Sequence, residues 1–322
     1  MGIKVLKAGL MSTLQDMGRF GYRKDGIIVS GAMDSLALRT GNLLVGNPEA
    51  EAGIECTLTG PQILFESEQL IALTGADLSA TINNVPLQMW RPLLIKKGAV
   101  LSFGAATRGC RAYLSVAGGF SVPRILGSRS TYLRAGFGGW NGRALQSGDY
   151  IPFRSAYRDT LLDFHWSCDL RSFYPDLNDP IVRVIKGPEY ELFSEGSKRV
   201  FFEQEFQLSN ESDRMGYRLQ GATLKLETPQ EMISSAVSFG TVQVTRKGDP
   251  IVLMADHQTT GGYPRIAQVI TVDFSKLAQL RSGQKIRFEL ITLAQAHAAL
   301  QYREQQLIQL KQTLTFKYKN ES

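Results

Sequence analysis

A nine-residue unit of the form aliphatic-x-x-Gly-x-x-aliphatic-x-Phe occurs three times in this chain. The copies are Ile95–Phe103, Leu145–Phe153 and Leu280–Phe288. The glycine supplies a turn, and the alternation behind it gives a strand that buries two side chains on one face. Two copies close a block, one before an irregular segment and one before a tail. The pattern predicts a mainly β chain of two related barrel-like domains; one large β domain is the alternative. At 322 residues the chain is long for a single ordinary core. The expected boundaries are a first domain over residues 1–155, a linker over 156–180, a second domain over 181–290, and a helix with its tail over 291–322.

Composition removes several classes of function. Hydrophobic residues are 43% and charged residues 20%, which is globular and not disordered. The net charge is +6, but the basic residues are scattered and no aromatic-basic interleaving occurs, so no nucleic-acid partner is expected. Cys56, Cys110 and Cys168 are few and far apart, which fits a reducing compartment. No CxxC or HxH pair offers a metal site, and none is expected. No apolar run is long enough for a signal peptide or a membrane span, so the expected location is cytoplasmic, with no membrane partner.

Local signals place several elements. Ile3–Leu6 reads as a first strand. Asp34 is an N-cap for a helix through Leu44, which Gly46-Asn47-Pro48 ends. Thr81–Pro86 reads as a hairpin tip whose Asn83 and Asn84 tolerate positive φ. Leu293–Leu310 lacks Gly and Pro and predicts a terminal helix amphipathic enough to dock.

Three polar stretches are candidates for chemistry. Gln15, Asp16 and Arg19 lie in a glycine-broken loop, where they form either a turn's salt bridge or part of a site. Gly31, Ala32, Met33 and Asp34 form a second polar turn. The strand Ile251–Met254 runs into Asp256, His257, Gln258, Thr259, Thr260, Gly261, Gly262 and Tyr263. A buried strand ending in polar groups and paired glycines presents chemistry at a rim; a polar hairpin is the alternative. Asp256 and His257 are candidates for acid-base work, the threonines offer hydroxyls, and the glycines let backbone N–H groups approach a substrate oxygen. Cys110 has no visible base beside it. Phe137–Gly142 lacks the flanking strand and helix of a dinucleotide loop, and no P-loop pattern occurs.

STLQDMGRFGY, VSGAMD, GCRAYLSVAGGF, LGSRSTYLRAGFGG, SDRMGYRL and PIVLMADHQTTGGYP together resemble the family of KipA, the C component of 5-oxoprolinase. That family also includes the allophanate hydrolase subunit 2 domain and the carboxyltransferase part of urea carboxylase. The resemblance implies two cyclophilin-like β-barrel domains in tandem, with a few short helices and a C-terminal helix. It implies partners, a KipI-like B component and an A component, in an assembly that converts 5-oxoproline to glutamate and consumes ATP. The matching motifs carry over Asp256, His257, Thr259 and Thr260 as catalytic. They carry over Gln15, Asp16, Arg19, Gly31, Ala32, Met33, Asp34, Arg214, Met215, Gln258, Gly261, Gly262 and Tyr263 as substrate-binding. No biotin-attachment segment is present, so carboxyl transfer requires other chains. A KipA-type regulator that antagonises a KipI-like inhibitor of a sporulation histidine kinase is the competing expectation.

Overall fold

All three glycine units form turns that feed strands. Gly98, Gly148 and Gly283 take φ of +84°, +92° and +83°, a backbone that L side chains avoid. Behind them Leu101, Ile151, Ile286 and Phe288 are buried. The computed structural model describes residues 1–157, 167–169 and 174–320. His165 and Trp166 of the expected linker lie outside the described residues. The chain forms two compact units, one of Met1–Arg19, Ser30–Tyr174 and Glu304–Ser322, the other of Phe20–Val29 and Pro175–Arg303.

Among the described residues the first unit holds eleven strands: β1 (Gly2–Lys7), β2 (Met11–Gln15), β3 (Gly53–Thr57), β4 (Gln62–Phe65), β5 (Gln69–Asp77), β6 (Thr81–Ile82), β7 (Val85–Pro86), β8 (Pro92–Ile95), β9 (Val100–Ser102), β10 (Arg108–Val116) and β11 (Tyr150–Pro152). They make two sheets, ordered β11-β1-β4-β9-β6-β7 and β2-β3-β10-β5-β8. Ile3, Val5, Phe65 and Leu101 of the first sheet join Leu14, Ile54, Leu73 and Leu114 of the second in one core. β5 is buried at eight of its nine positions, as a strand covered on both faces requires. One face meets that core; the other meets helix α1 (Ser35–Leu44) through Leu70, Ala72, Leu36 and Leu43.

Asp34 caps α1, its carboxylate accepting the Ala37 N–H at 3.1 Å. The helix stops before Gly46, at φ +72°. A Cβ on Gly41 would stand 2.8 Å from Ser115 Oγ and 2.9 Å from Thr74 Oγ1, so glycine sets how closely the helix lies on the sheet. Asn83 and Asn84, at φ 50° and 67°, turn the β6–β7 hairpin.

In the second unit, β12 (Ile181–Lys186), β13 (Phe206–Leu208), β14 (Gly216–Gln220), β16 (Thr241–Val244), β17 (Pro250–Leu253), β19 (Arg265–Val269) and β20 (Lys285–Leu290) close a barrel in the order β12-β19-β16-β17-β14-β13-β20. A separate ribbon pairs β15 (Ser235–Ala236) with β18 (Thr260–Gly261). Helix α2 (Glu195–Glu203) stacks Phe201 on Phe288 of the barrel at 4.5 Å between centroids. Helix α3 (Phe274–Ala278) stacks Phe274 on Phe239 at 4.3 Å. The last helix, α4 (Leu293–Asn320), runs past Leu310 because no Gly or Pro stops it. In the first unit its Leu307 and Leu314 are buried, and Tyr318 donates to the Leu44 carbonyl. Among the described residues, no helix is long and apolar enough to cross a membrane.

Candidate functional site

The stretch from Asp249 to Pro264 begins as a barrel strand and ends on the ribbon. β17 pairs with β14 and β16, and its last residues meet Gly216 and Val242. Beyond it the chain stays bonded: Met254 N–H donates to Met215 O at 3.0 Å, and Asp256 N–H to Arg214 O at 2.7 Å. The side chains repeat the clamp. Arg214 Nε and Nη2 donate to Asp256 Oδ2 and Oδ1 at 2.8 and 3.0 Å, with both residues buried. Such a bidentate pair fixes orientation as well as charge.

His257 is 5% exposed and its Nδ1 lies 2.6 Å from the Gln258 carbonyl. A carbonyl only accepts, so Nδ1 carries the proton and Nε2 is the basic nitrogen. Burial holds the His257 pKa below its ordinary value; the Gln258 bond opposes that, Arg23 adds to it, and Asp256 opposes it. The ring is therefore neutral at pH 7. Folding removes proton affinity from His257, so its stability contribution is complete above about pH 6.5 and falls on acidification through the lowered pKa. Thermal unfolding at pH 7.5 and 5.5 checks this: the midpoint falls further for wild type than for His257→Gln, and equal falls contradict it.

Past His257 the motif turns outward. Thr259 and Gln258 are half-buried and Thr260 is exposed on β18. Arg23 donates to the carbonyls of Val237 and Thr259, holding the β15–β18 ribbon from the 20–29 loop. A Cβ on Gly261 would stand 2.5 Å from Gln243 Nε2, so this glycine admits a buried amide that also donates to Tyr263 O at 3.1 Å. Gly262 and Tyr263 are exposed. They line a cavity of about 420 Å³ with Leu226, Met232, Lys225 and Lys247. Tyr263 and the Thr245–Lys247 turn also border a second, more polar cavity of about 510 Å³ with Arg218, Gln220 and Ser209. The motif thus divides into a buried end, with Asp256 and His257, and an open end, with Thr260, Gly262 and Tyr263.

In the first unit the two polar turns meet. Asp16 O accepts the Ala32 N–H at 2.9 Å, and a Cβ on Gly31, at φ +98°, would stand 3.0 Å from Gly18 N. The Asp16 carboxylate accepts Gly18 N–H at 2.9 Å, Arg129 N–H at 2.6 Å, Ser128 Oγ at 2.7 Å and Ser130 Oγ at 2.6 Å. Arg19 is fully buried, donates to Ile125 O and Ser130 O, and lies 4.7 Å over the Phe137 ring. Gln15 donates to Thr13 Oγ1 and Thr131 O. Asp16 and Arg19 therefore each tie the 15–19 loop to the 125–131 segment. Met33 N–H donates to Glu55 at 2.9 Å, and Asp34 N–H to Tyr113 Oη at 2.7 Å. Tyr174 Oη donates to the Asp34 carboxylate at 2.5 Å. Burial, then the charges of Glu55 and Asp34, push the Tyr113 pKa well above its ordinary value. Cys110 is buried.

Sequence reasoning missed Ser128, Ser130, Glu55, Tyr113, Arg23 and the lysine-bearing walls at Lys225 and Lys247. The serines stood in a quoted motif, LGSRSTYLRAGFGG, but their partner is more than a hundred residues away. The cavity walls carry no motif.

A closed barrel and a two-sheet unit in one chain, with this polar strand end, define a class. Residues 25–290 match the family model of the carboxyltransferase domain, subdomain A and B, and the chain belongs to that family. It is 42% identical over 294 residues to the C component of 5-oxoprolinase from Haemophilus influenzae, covering 91% of this chain and 93% of that one. It is 42% identical over 309 residues to the C component of 5-oxoprolinase from Escherichia coli, covering 96% and 97%. The crystal structure of the Kluyveromyces lactis urea amidolyase is similar with a TM-score of 0.89 at 31% identity. The match covers 96% of this chain but 20% of that one.

Proposed function

We propose that this chain is the C component of an ATP-dependent 5-oxoprolinase and acts with a KipI-like B component and an A component. The assembly opens the lactam of 5-oxoproline to glutamate, with hydrolysis of ATP. The observation that carries this reading is the identity along nearly the whole length to two chains named as that component. The site geometry supports a division of labour within the motif. Asp256, held by Arg214, and Met215, holding Met254, fix the strand end. His257, neutral with a basic Nε2, is the proton acceptor. Thr259, Thr260 and the Gly261–Gly262 turn face the reacting carbonyl, and Tyr263 with Gln258 shapes the approach. Gln15, Asp16, Arg19 and Gly31–Asp34 are the substrate-binding residues of the first unit in this reading, on a frame in which Asp16 and Arg19 tie their loop to the 125–131 segment.

The test is turnover by the assembled complex. His257→Gln lowers kcat about 10²-fold, the usual loss for a general base, and Thr260→Val lowers it by about tenfold through one lost hydrogen bond. Unaltered turnover in both variants overturns the site. The similarity to a urea amidolyase favours one other reading, a carboxyltransferase component acting on a urea-like amide. Copurification of a biotinylated carrier with this chain supports that second reading.

A further inference from the structure

The β15–β18 ribbon, which carries Thr260 and Gly261, is a ladder of only two residue pairs, Ser235 with Gly261 and Ala236 with Thr260. The Val237 N–H lengthens it at one end, donating to the Thr259 carbonyl at 3.3 Å. A two-stranded ladder this short is marginal without outside support. Two arginines of the second unit supply it. Arg265 donates to the Ala236 carbonyl at 2.9 Å, and its other donors hold Glu189 at 2.5 and 2.7 Å. Arg23 Nη2 donates to the carbonyls of Val237 and Thr259, one on each side of the same ribbon end. The turn that presents Arg23 is closed on itself. Asp25 and Ile27 donate to the Tyr22 carbonyl at 3.0 and 3.3 Å, Gly26 turns the chain at φ +78°, and Ile28 is buried behind it. Among the described residues no carboxylate pairs with Arg23, so its charge acts on the groups beside it.

We infer that Arg23 is a positioning residue of this site: by bridging Val237 and Thr259 it fixes the ribbon end that sets Thr259 and Thr260 next to His257. The role of His257 as proton acceptor rests on the proposed function; the bridge itself does not. The charge of Arg23 supports the same role. Burial is the main cause that holds His257 neutral, opposed by the Gln258 carbonyl. Of the two charged groups that act on the ring, Arg23 disfavours the imidazolium and Asp256 favours it. Asp256 is already bonded to Arg214, whereas Arg23 has no such partner. Loss of Arg23 therefore loosens the ribbon and lets His257 take up a proton at higher pH.

The test compares the full chain with Arg23→Met and Arg23→Gln, which remove the charge, and with Arg23→Lys, which keeps it. Hydrogen exchange read by mass spectrometry reports on the ribbon. NMR of histidines labelled at Cε1 reports on His257, whose signal is the one of three that His257→Gln lacks. In the two neutral variants the Val237 amide exchanges about tenfold faster, the order expected for one lost charge-assisted bond, and His257 titrates at higher pH. In Arg23→Lys the His257 titration stays at its wild-type position. In the assembled complex the acid limb of the turnover profile moves to higher pH in the neutral variants and returns in Arg23→Lys, which a merely structural loss does not produce. A ribbon that exchanges no faster in either neutral variant overturns the inference, as does a His257 titration that neither moves. Both readouts are taken on this chain without turnover, so an assembly that leaves 5-oxoproline intact overturns the oxoprolinase reading alone.

Discussion

Replacing Asp256 with alanine is expected to lower stability by about 3–5 kcal/mol, because it leaves the buried Arg214 guanidinium without its bidentate carboxylate. Both residues are nearly inaccessible, so water cannot replace the lost oxygens. Arg214→Ala has a loss of similar size, since the buried carboxylate then loses its charge partner. The pair Arg214→Met with Asp256→Leu recovers most of it, because an apolar pair of similar volume needs no charge partner. Denaturant unfolding of wild type, the two alanine variants and their alanine double gives the coupling energy directly. Single losses below about 1 kcal/mol, the level of an exposed pair, contradict the clamp. The same experiment separates stability from catalysis: a folded double variant that retains turnover assigns Asp256 to positioning alone.

Asp16→Ala is expected to cost roughly 3–5 kcal/mol. It strands two N–H and two O–H donors, and each hydrogen bond to a charged group contributes about 1.5–3 kcal/mol before non-additivity. Gly18, Ser128 and Ser130 all donate to Oδ1, and the Arg129 N–H donates to Oδ2. Asp16→Asn therefore costs about half as much, since an amide oxygen at the Oδ1 position keeps three donors while the NH₂ faces the Arg129 N–H. Chemical denaturation of both variants checks the order. Equal losses, or a loss larger for asparagine, contradict the geometry.

These two carboxylates show where the sequence was legible and where it was not. Asp34 was readable as a cap because an N-cap acts on a donor three residues away, Ala37. Asn83-Asn84 and the three glycine turns were readable for the same local reason. Nearness in the chain pairs Asp16 with Arg19. In the fold the carboxylate reaches Ser128 and Ser130, and the guanidinium reaches the Ile125 and Ser130 carbonyls. Alternation along a strand gives no cross-strand partner, so the pairing of Arg214 with Asp256 follows from the β14–β17 register and not from the sequence pattern. The first unit puts its strands into two sheets and the second closes a barrel. The repeated unit announces turn and strand in both and carries no information about closure. The cavities at Tyr263 were invisible because Lys225, Arg218 and Lys247 come from separate strands and turns with no spacing in common.

The most direct measurement is glutamate formation from 5-oxoproline and ATP by the three purified chains, with each omitted in turn. The account predicts glutamate and inorganic phosphate in the full mixture, and loss of glutamate when this chain is left out. Glutamate formed at the same rate without this chain contradicts it.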